Sequence, residues 1–168
     1  MEILIPGLIL VALMIYASTK IKKSAAEAYE PETIETDDFV IHKPAGFLIV
    51  IGGDRQFAFE SYSKEFGEDE ASEFRKATAN ISVFDGGARP TKVSGVEEIL
   101  SDVSKKIGGQ SYRVTEAKRT EKNVEFRVFR KSGEKHGRIV RLEIIALKET
   151  TDQLLNDIES MLQSFELK

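Results

Sequence analysis

The chain contains no cysteine, and this absence removes several classes of function at once. Disulfide bonds, zinc–thiolate sites, thiol catalysis and lipid attachment to cysteine all need that side chain. Only two histidines are present, His42 in a predicted strand and His136 in a predicted turn, so neither has a second metal ligand at a useful spacing. No histidine base with a third, orienting group is evident. We therefore expect a protein that is not an enzyme and that binds no metal and no cofactor.

Patterns for phosphate, calcium and nucleic acid are also missing. The Gly-Gly pairs lack the G-x-x-x-x-G-K-[ST] sequence of a phosphate-binding loop, so we interpret them as turns. The acidic run from Glu68 to Glu70 lacks the alternating ligand spacing of a calcium loop. A net charge of −4 and a pI of about 5.4 argue against bulk nucleic-acid binding, so we expect no nucleic-acid partner.

One segment is apolar without interruption. Ile3 to Thr19 carries no charge, and about 17 residues are just enough for a helix to cross a hydrocarbon core of roughly 30 Å. A cleaved signal peptide is an alternative, but this segment follows the acidic Glu2 and ends in a poor cleavage site. A buried core helix is a second alternative, but the apolar residues cover every side of the helix. The sequence therefore predicts a retained transmembrane helix, with its basic flank, in residues 1–23.

The residues that flank this segment predict its orientation. Lys20, Lys22 and Lys23 follow it directly, and lysines close to a membrane span stay on the cytoplasmic side. We therefore expect a single-pass protein of an inner membrane, either plasma or photosynthetic, with its amino terminus outside and its larger part in the cytoplasm. Residues 24–37 are acidic and are predicted to be a linker, and residues 38–168 are predicted to be one globular domain.

The apolar pattern of the domain changes period several times. Strands are predicted near residues 39–43, 47–51, 56–63 and 73–84, and the unalternating FLIVI of 47–51 is predicted to be covered on both faces. Ser94 and Glu97 fit a capping box before apolar residues at helical spacing, which predicts a helix as far as Ile107. An antiparallel meander is predicted from strands near 111–119, 124–131 and 138–147, with turns at 121–123 and 132–137. A closing helix is predicted from about Thr151, and its apolar stripe must be buried on the sheet; the stripe consists of Leu154, Leu155, Ile158, Met161, Leu162 and Phe165.

Three short stretches carry a resemblance to a known family. They are Pro44-Ala45-Gly46-Phe47 in a strand-turn-strand unit, Ala79-Asn80-Ile81-Ser82-Val83, and Met161-Leu162-Gln163-Ser164-Phe165 at the end of the closing helix. Over residues 38–168 the chain resembles the PsbP-like family, which includes the PsbP photosystem proteins, the Ran-binding Mog proteins and DcrB-type bacterial proteins. The resemblance implies an α+β fold, with a central antiparallel β-sheet flanked by helices on both faces. It also implies an accessory or binding protein.

Basic side chains are concentrated in the predicted meander. The candidate docking patch consists of Arg127, Lys131, Lys135, Arg138 and Arg141. One interpretation is a solvated outer face, and the other is a surface for anionic lipid or for an acidic partner protein. Lys131, Lys135 and Arg138 are expected to converge at the turn between the last two strands.

Two functional hypotheses follow. The first is a membrane-anchored, non-catalytic accessory subunit that docks on and stabilises a larger membrane protein complex, and the resemblance implies a photosynthetic reaction-centre or light-harvesting complex. The second is a membrane-tethered binding module for a soluble ligand, a lipid or a protein partner. Subunits of a membrane complex and the lipid bilayer are thus the expected partners.

Overall fold

The computed structural model of the chain describes residues 13–20, 26–51, 57–85 and 96–168. Residues 13–20 are helical and belong to helix α1. No helix within these ranges is both long enough and apolar enough to cross a membrane. Most of the predicted anchor, including residues 1–12, Lys22 and Lys23, lies outside the described residues, so the anchor stays a prediction.

The described strands form two antiparallel sheets. The large sheet has seven strands in the order β3–β4–β5–β9–β8–β7–β6, and in the small sheet β1 and β10 pair with the two edges of β2. The strand bounds are β1 Glu32–Glu35, β2 Phe39–Lys43, β3 Phe47–Ile49, β4 Phe59–Ser63, β5 Ala77–Asp85, β6 Val96–Ile107, β7 Gln110–Glu121, β8 Val124–Lys135, β9 Arg138–Leu147 and β10 Glu166–Leu167. The predicted α+β class with an antiparallel sheet is confirmed.

The core lies on one face of the large sheet, which we call the helix face. Helix α2, Asp152–Ser164, begins at Thr151, whose side chain accepts a hydrogen bond from the Leu154 amide. Its buried Ile158 and Met161 pack with β2 and with the alternate inward residues of β5 and β9. The predicted closing helix, with its apolar stripe packed on the sheet, is confirmed.

The predicted meander is confirmed, and its turns are tighter than expected. Both hairpins turn on two residues with positive φ, Lys122-Asn123 and His136-Gly137, as the twist of paired strands favours. Strand β8 therefore continues to Lys135, into the stretch predicted as a turn. The other face of the large sheet, which we call the outer face, is covered in the described chain only at one end, where Ala71 and Phe74 pack beside β8.

The helix predicted from Ser94 to Ile107 is wrong, because Val96–Ile107 is strand β6. The apolar spacing suited a helix, but in the structure Ile99 and Val103 are largely exposed. Pairing with β7 satisfies the backbone groups of both strands, and a bulge at Leu100 accounts for the irregular apolar spacing. β-Branched residues also fit a strand well.

Three smaller expectations also need correction. The predicted linker contains strand β1, and the buried Lys43 ammonium donates to the carbonyls of Glu30 and Phe47, which ties this segment to the domain. The stretch predicted to be covered on both faces is an edge strand that ends at Ile49, and Ile51 is 94% exposed. Within the described residues an α-helix packs on only one face of the sheet, and the only helix at the other face is the short 3₁₀ helix Asp69–Ala71, which contacts it through Ala71.

Candidate interaction surfaces

The five residues of the predicted docking patch do not share one surface. Arg127 and Lys131 project to the helix face of β8, whereas Arg141 projects to the outer face of β9. Lys135 and Arg138 lie opposite each other at the β8–β9 turn. Arg130, on the same strand, projects to the face opposite Arg127 and Lys131. A continuous basic patch over all five residues is therefore absent.

Lys131 is an internal residue, which corrects the expectation that it lies at the surface. Its side chain is 3% exposed, and its ammonium donates to the carbonyls of Leu162, at 2.9 Å, and Phe165, at 2.8 Å. It also lies 4.7 Å from the ring centre of Tyr112. Burial lowers the pKa of Lys131. The residue binds the carboxyl-terminal end of α2, where free carbonyls favour a cation.

The other basic residues of the helix face and the turn are more accessible. Arg127 pairs with Glu116 at 2.7 Å, and Arg138 pairs with Asp38 at 2.6 Å. Arg138 is exposed and Lys135 is half-buried. Ion pairs this open to solvent contribute little to stability.

The outer face carries a compact ionic cluster of the buried Arg119 and the half-buried Glu97, Arg130 and Glu143. Arg119 and Arg130 both donate to Glu97, each at 2.6 Å, and Arg130 also donates to Glu143. Burial alone would raise the pKa of Glu97, but hydrogen bonds from the two arginines outweigh it and lower that pKa. Strand pairing produces the cluster, because Glu97 faces Arg119 across β6–β7 and Arg130 faces Glu143 across β8–β9. The sequence does not predict this cluster, because the apolar spacing of residues 96–107 favours a helix, in which Glu97 has no cross-strand partner.

Arg141 lies on the same outer face but forms no ion pair with a carboxylate among the described residues. Its guanidinium lies 5.0 Å from the ring centre of Phe84, and no described residue accepts a hydrogen bond from it. Burial lowers the pKa of Arg141, and the nearby Glu143 opposes this effect. A half-buried guanidinium without a bound oxyanion retains most of its hydrogen-bonding capacity.

Strand β6 forms an open edge of the large sheet, because no described strand pairs with it on the side away from β7. Four large apolar side chains along it are exposed, by 63% for Ile99, 54% for Leu100, 44% for Val103 and 42% for Ile107. A strand of 12 residues in this state is long for an unprotected edge. Such an edge can take up an additional strand from another chain.

A polar cleft of about 760 Å³ lies beyond the β7–β8 turn. Its lining includes Glu68, Asp69, Glu125 and Lys148. Hydrogen bonds from Lys118 and Lys148 lower the pKa of Glu125 to about 2. The acidic run from Glu68 to Glu70, which lacks the ligand spacing of a calcium loop, lies here. No group of three or more His, Asp or Glu side chains in the described ranges is arranged to hold a metal ion.

The two histidines lie where the sequence predicted. His42 is in β2, with its Nδ1 3.2 Å from the Thr33 hydroxyl, and His136 is in the β8–β9 turn.

No family model and no curated protein matches the sequence. Solved structures do match. Cyanobacterial PsbP (CyanoP) from Synechocystis has 12% identity and a TM-score of 0.57, over 83% of this chain and 92% of that chain. LpqN of Mycobacterium tuberculosis, described as involved in cell envelope biogenesis, has 13% identity and a TM-score of 0.58, over 83% and 91%.

A mutant of the protein Mog1 is also similar, with 10% identity and a TM-score of 0.53, over 82% of this chain and 96% of that chain. The matches cover nearly the whole length of all three proteins, and they concern the course of the backbone at very low identity. The chain therefore has the PsbP-like fold that it shares with Mog1, in agreement with the resemblance of its three short stretches.

Proposed function

We propose that the chain is a membrane-tethered, non-catalytic accessory subunit that docks on a larger membrane protein complex. The open edge of β6, with its row of exposed apolar side chains, is the observation that supports this proposal most directly. A non-catalytic binding role is also in keeping with the fold. The likeness to a cyanobacterial PsbP makes a photosynthetic complex the first partner to test.

The occupant of the β6 edge in this proposal is an extended segment of a partner subunit. The charges of β6 change along the strand, from Glu98 and Asp102 in its first part to Lys105 and Lys106 near its end. A complementary segment carries basic residues opposite the first part and acidic residues opposite the second. Between them, apolar side chains of the segment cover Leu100 and Val103.

A second copy of β6 meets the same charge requirement when it runs antiparallel. However, a twofold axis near the middle of the strand brings the bulges at Leu100 of both copies close together. The two bulges interrupt the hydrogen-bond ladder on both sides of the axis. A partner segment of regular geometry meets only one bulge, and we therefore favour it.

Charged substitutions on the edge test the docking. We expect the variant with both Ile99→Lys and Leu100→Lys to lose co-purification with its complex in mild detergent, because the added lysines face the basic part of the segment and block strand addition. Both side chains are exposed, so the free energy of unfolding should change by less than about 1 kcal/mol in total. Quantitative mass spectrometry of the purified complex gives the ratio of this chain to the other subunits.

Ile51→Lys is the matched control, because Ile51 is also apolar and exposed but lies away from β6. It should co-purify in the wild-type ratio. Retention of the double variant in that ratio would exclude the β6 edge as the docking surface. A purified wild-type species that contains only two copies of this chain would identify the second copy as the occupant instead.

The tether and its orientation complete the proposal. Residues 1–23 would span the membrane with the domain in the cytoplasm, as the basic flank of Lys20, Lys22 and Lys23 predicts. We expect protease added to intact spheroplasts to leave the domain uncut and protease added after lysis to cut it at accessible loops. Digestion in intact spheroplasts, or a mature amino terminus that begins after Ala17, would contradict this orientation.

A further inference from the structure

The ionic cluster of the outer face, taken together with the neighbouring Arg141, contains three guanidinium groups and two carboxylates. Arg119, Arg130 and Arg141 are half-buried or buried there, and Glu97 and Glu143 are the acids with which they interact. Both acids are already bound: Glu97 accepts from Arg119 and Arg130, and Glu143 accepts from Arg130. Arg141 therefore carries the one charge in this group that has no oxyanion at hydrogen-bonding distance among the described residues.

Two hydroxyl groups flank Arg141. Ser82 of β5 and Ser132 of β8 are its direct cross-strand neighbours, and all three side chains project to the outer face. Side chains opposite each other in this way have Cβ atoms about 5 Å apart. Neither hydroxyl has a hydrogen-bond partner among the described residues. The guanidinium and the two hydroxyls thus place several free donors around one small area.

The ring of Phe84 restricts how a ligand can approach. It lies two residues after Ser82 on the same face of β5, and the Arg141 Cζ lies over it, 5.0 Å from the ring centre. A ligand therefore reaches the guanidinium from the side away from Phe84, where it can accept from an edge with two N–H groups. A planar acceptor with two oxygens matches that edge in a bidentate arrangement.

We propose that Arg141, Ser82 and Ser132 form a binding site for the carboxylate group of a ligand. The two carboxylate oxygens accept from the edge of the Arg141 guanidinium, and their remaining lone pairs accept from the two serine hydroxyls. The bound carboxylate takes the place of the third acid that the ionic cluster lacks. The site lies away from the β6 edge and does not depend on docking there.

Two sources supply such a group, a free dicarboxylic acid and the glutamate side chain of a peptide. Both are titrated into the full-length protein in detergent, with the amides of Ser82 and Ser132 and the Arg141 Nε–H observed by NMR. The probes are succinate and a peptide with blocked ends and a single glutamate, and chloride at equal ionic strength is the reference. We expect saturable shifts with at least one carboxylate probe and none with chloride. A tighter fit for succinate identifies a free acid, and a tighter fit for the peptide identifies a protein group.

Arg141→Gln should weaken binding about tenfold or more, because it removes the charge and the bidentate edge. Ser82→Ala with Ser132→Ala should weaken binding less, because the guanidinium remains. Arg113→Gln is the matched control: Arg113 lies on the same face beside Ser132 but is already bound to Asp102, at 2.6 Å. It should keep the wild-type affinity.

Several outcomes overturn the proposal. The first is equal loss of affinity in the Arg141→Gln and Arg113→Gln variants, which indicates a general charge effect. The second is unchanged affinity in Arg141→Gln. The third is tighter binding of inorganic phosphate than of either carboxylate probe, which contradicts the assignment of the ligand class. The amide spectrum of each variant shows directly whether the fold is retained.

Discussion

Lys131→Glu is expected to destabilise the protein more than any other single change whose effect we predict. The change replaces a buried ammonium, bound to the Leu162 and Phe165 carbonyls, by a carboxylate that faces the same oxygens. Breaking a buried, hydrogen-bonded charge arrangement in this way costs about 3–5 kcal/mol. A domain of this kind has only about 5–15 kcal/mol of stability in all. Thermal unfolding followed by circular dichroism should therefore show a melting temperature lower by more than about 10 °C.

Lys135→Glu is the control for this prediction. Lys135 lies on the same strand, is half-buried and directly faces Arg138, so a glutamate there changes the charge equally without entering the core. It should change the free energy of unfolding by less than about 0.5 kcal/mol. Equal melting temperatures for the two variants would show that Lys131 does not stabilise the end of α2.

Phe165→Ala is expected to have the second largest effect. The Phe165 ring is fully buried, with its centre 6.3 Å from that of Phe39 and 6.5 Å from that of Tyr112. Removing a buried phenylalanine ring costs about 3–5 kcal/mol through lost transfer free energy and a residual cavity. The main-chain carbonyl that accepts from Lys131 stays in place, so the variant reports on packing. Urea unfolding should show a lower midpoint with an unchanged slope.

Leu155→Ala provides the comparison on the same helix. Leu155 belongs to the apolar stripe predicted from the sequence, but its side chain is only half-buried. Its truncation should cost about 1 kcal/mol, in proportion to the area that it buries. If Phe165→Ala lowered the urea midpoint no more than Leu155→Ala, the contact of Phe165 with Phe39 and Tyr112 would not be part of the stabilising core.

The two variants of the closing segment illustrate how far a periodic pattern predicts a structure. The stripe from Leu154 to Phe165 identified a buried helix face correctly. It did not predict which of these residues are most deeply buried, because the burial of a side chain depends on which strands lie opposite it. Phe165 is deep because β2, β7 and β8 converge on it, and no local pattern contains that information.

The candidate surfaces show the same division. The concentration of basic residues in the meander is a property of the sequence, and so is the alternation that directs Arg127 and Arg141 to their respective sides once the register is known. The sequence does not identify the acidic residues with which the basic residues pair. Glu97 reaches Arg119 and Arg130 only because residues 96–107 form a strand at the edge of the sheet. With a helix in that place, the ionic cluster and the exposed edge are both absent.

The sequence by itself determined the α+β class, the antiparallel meander, the closing helix and the likeness of three short stretches to the PsbP-like fold. These features depend on period, turn residues and apolar spacing, which are local along the chain. Tertiary structure alone decided that β6 is a strand, that Lys131 is internal and that Arg141 forms no ion pair with an acid in the described part of the chain. Each of these depends on which distant backbone or side chain occupies the adjacent space, because hydrogen-bonding groups and charges are satisfied across strands that lie far apart in sequence.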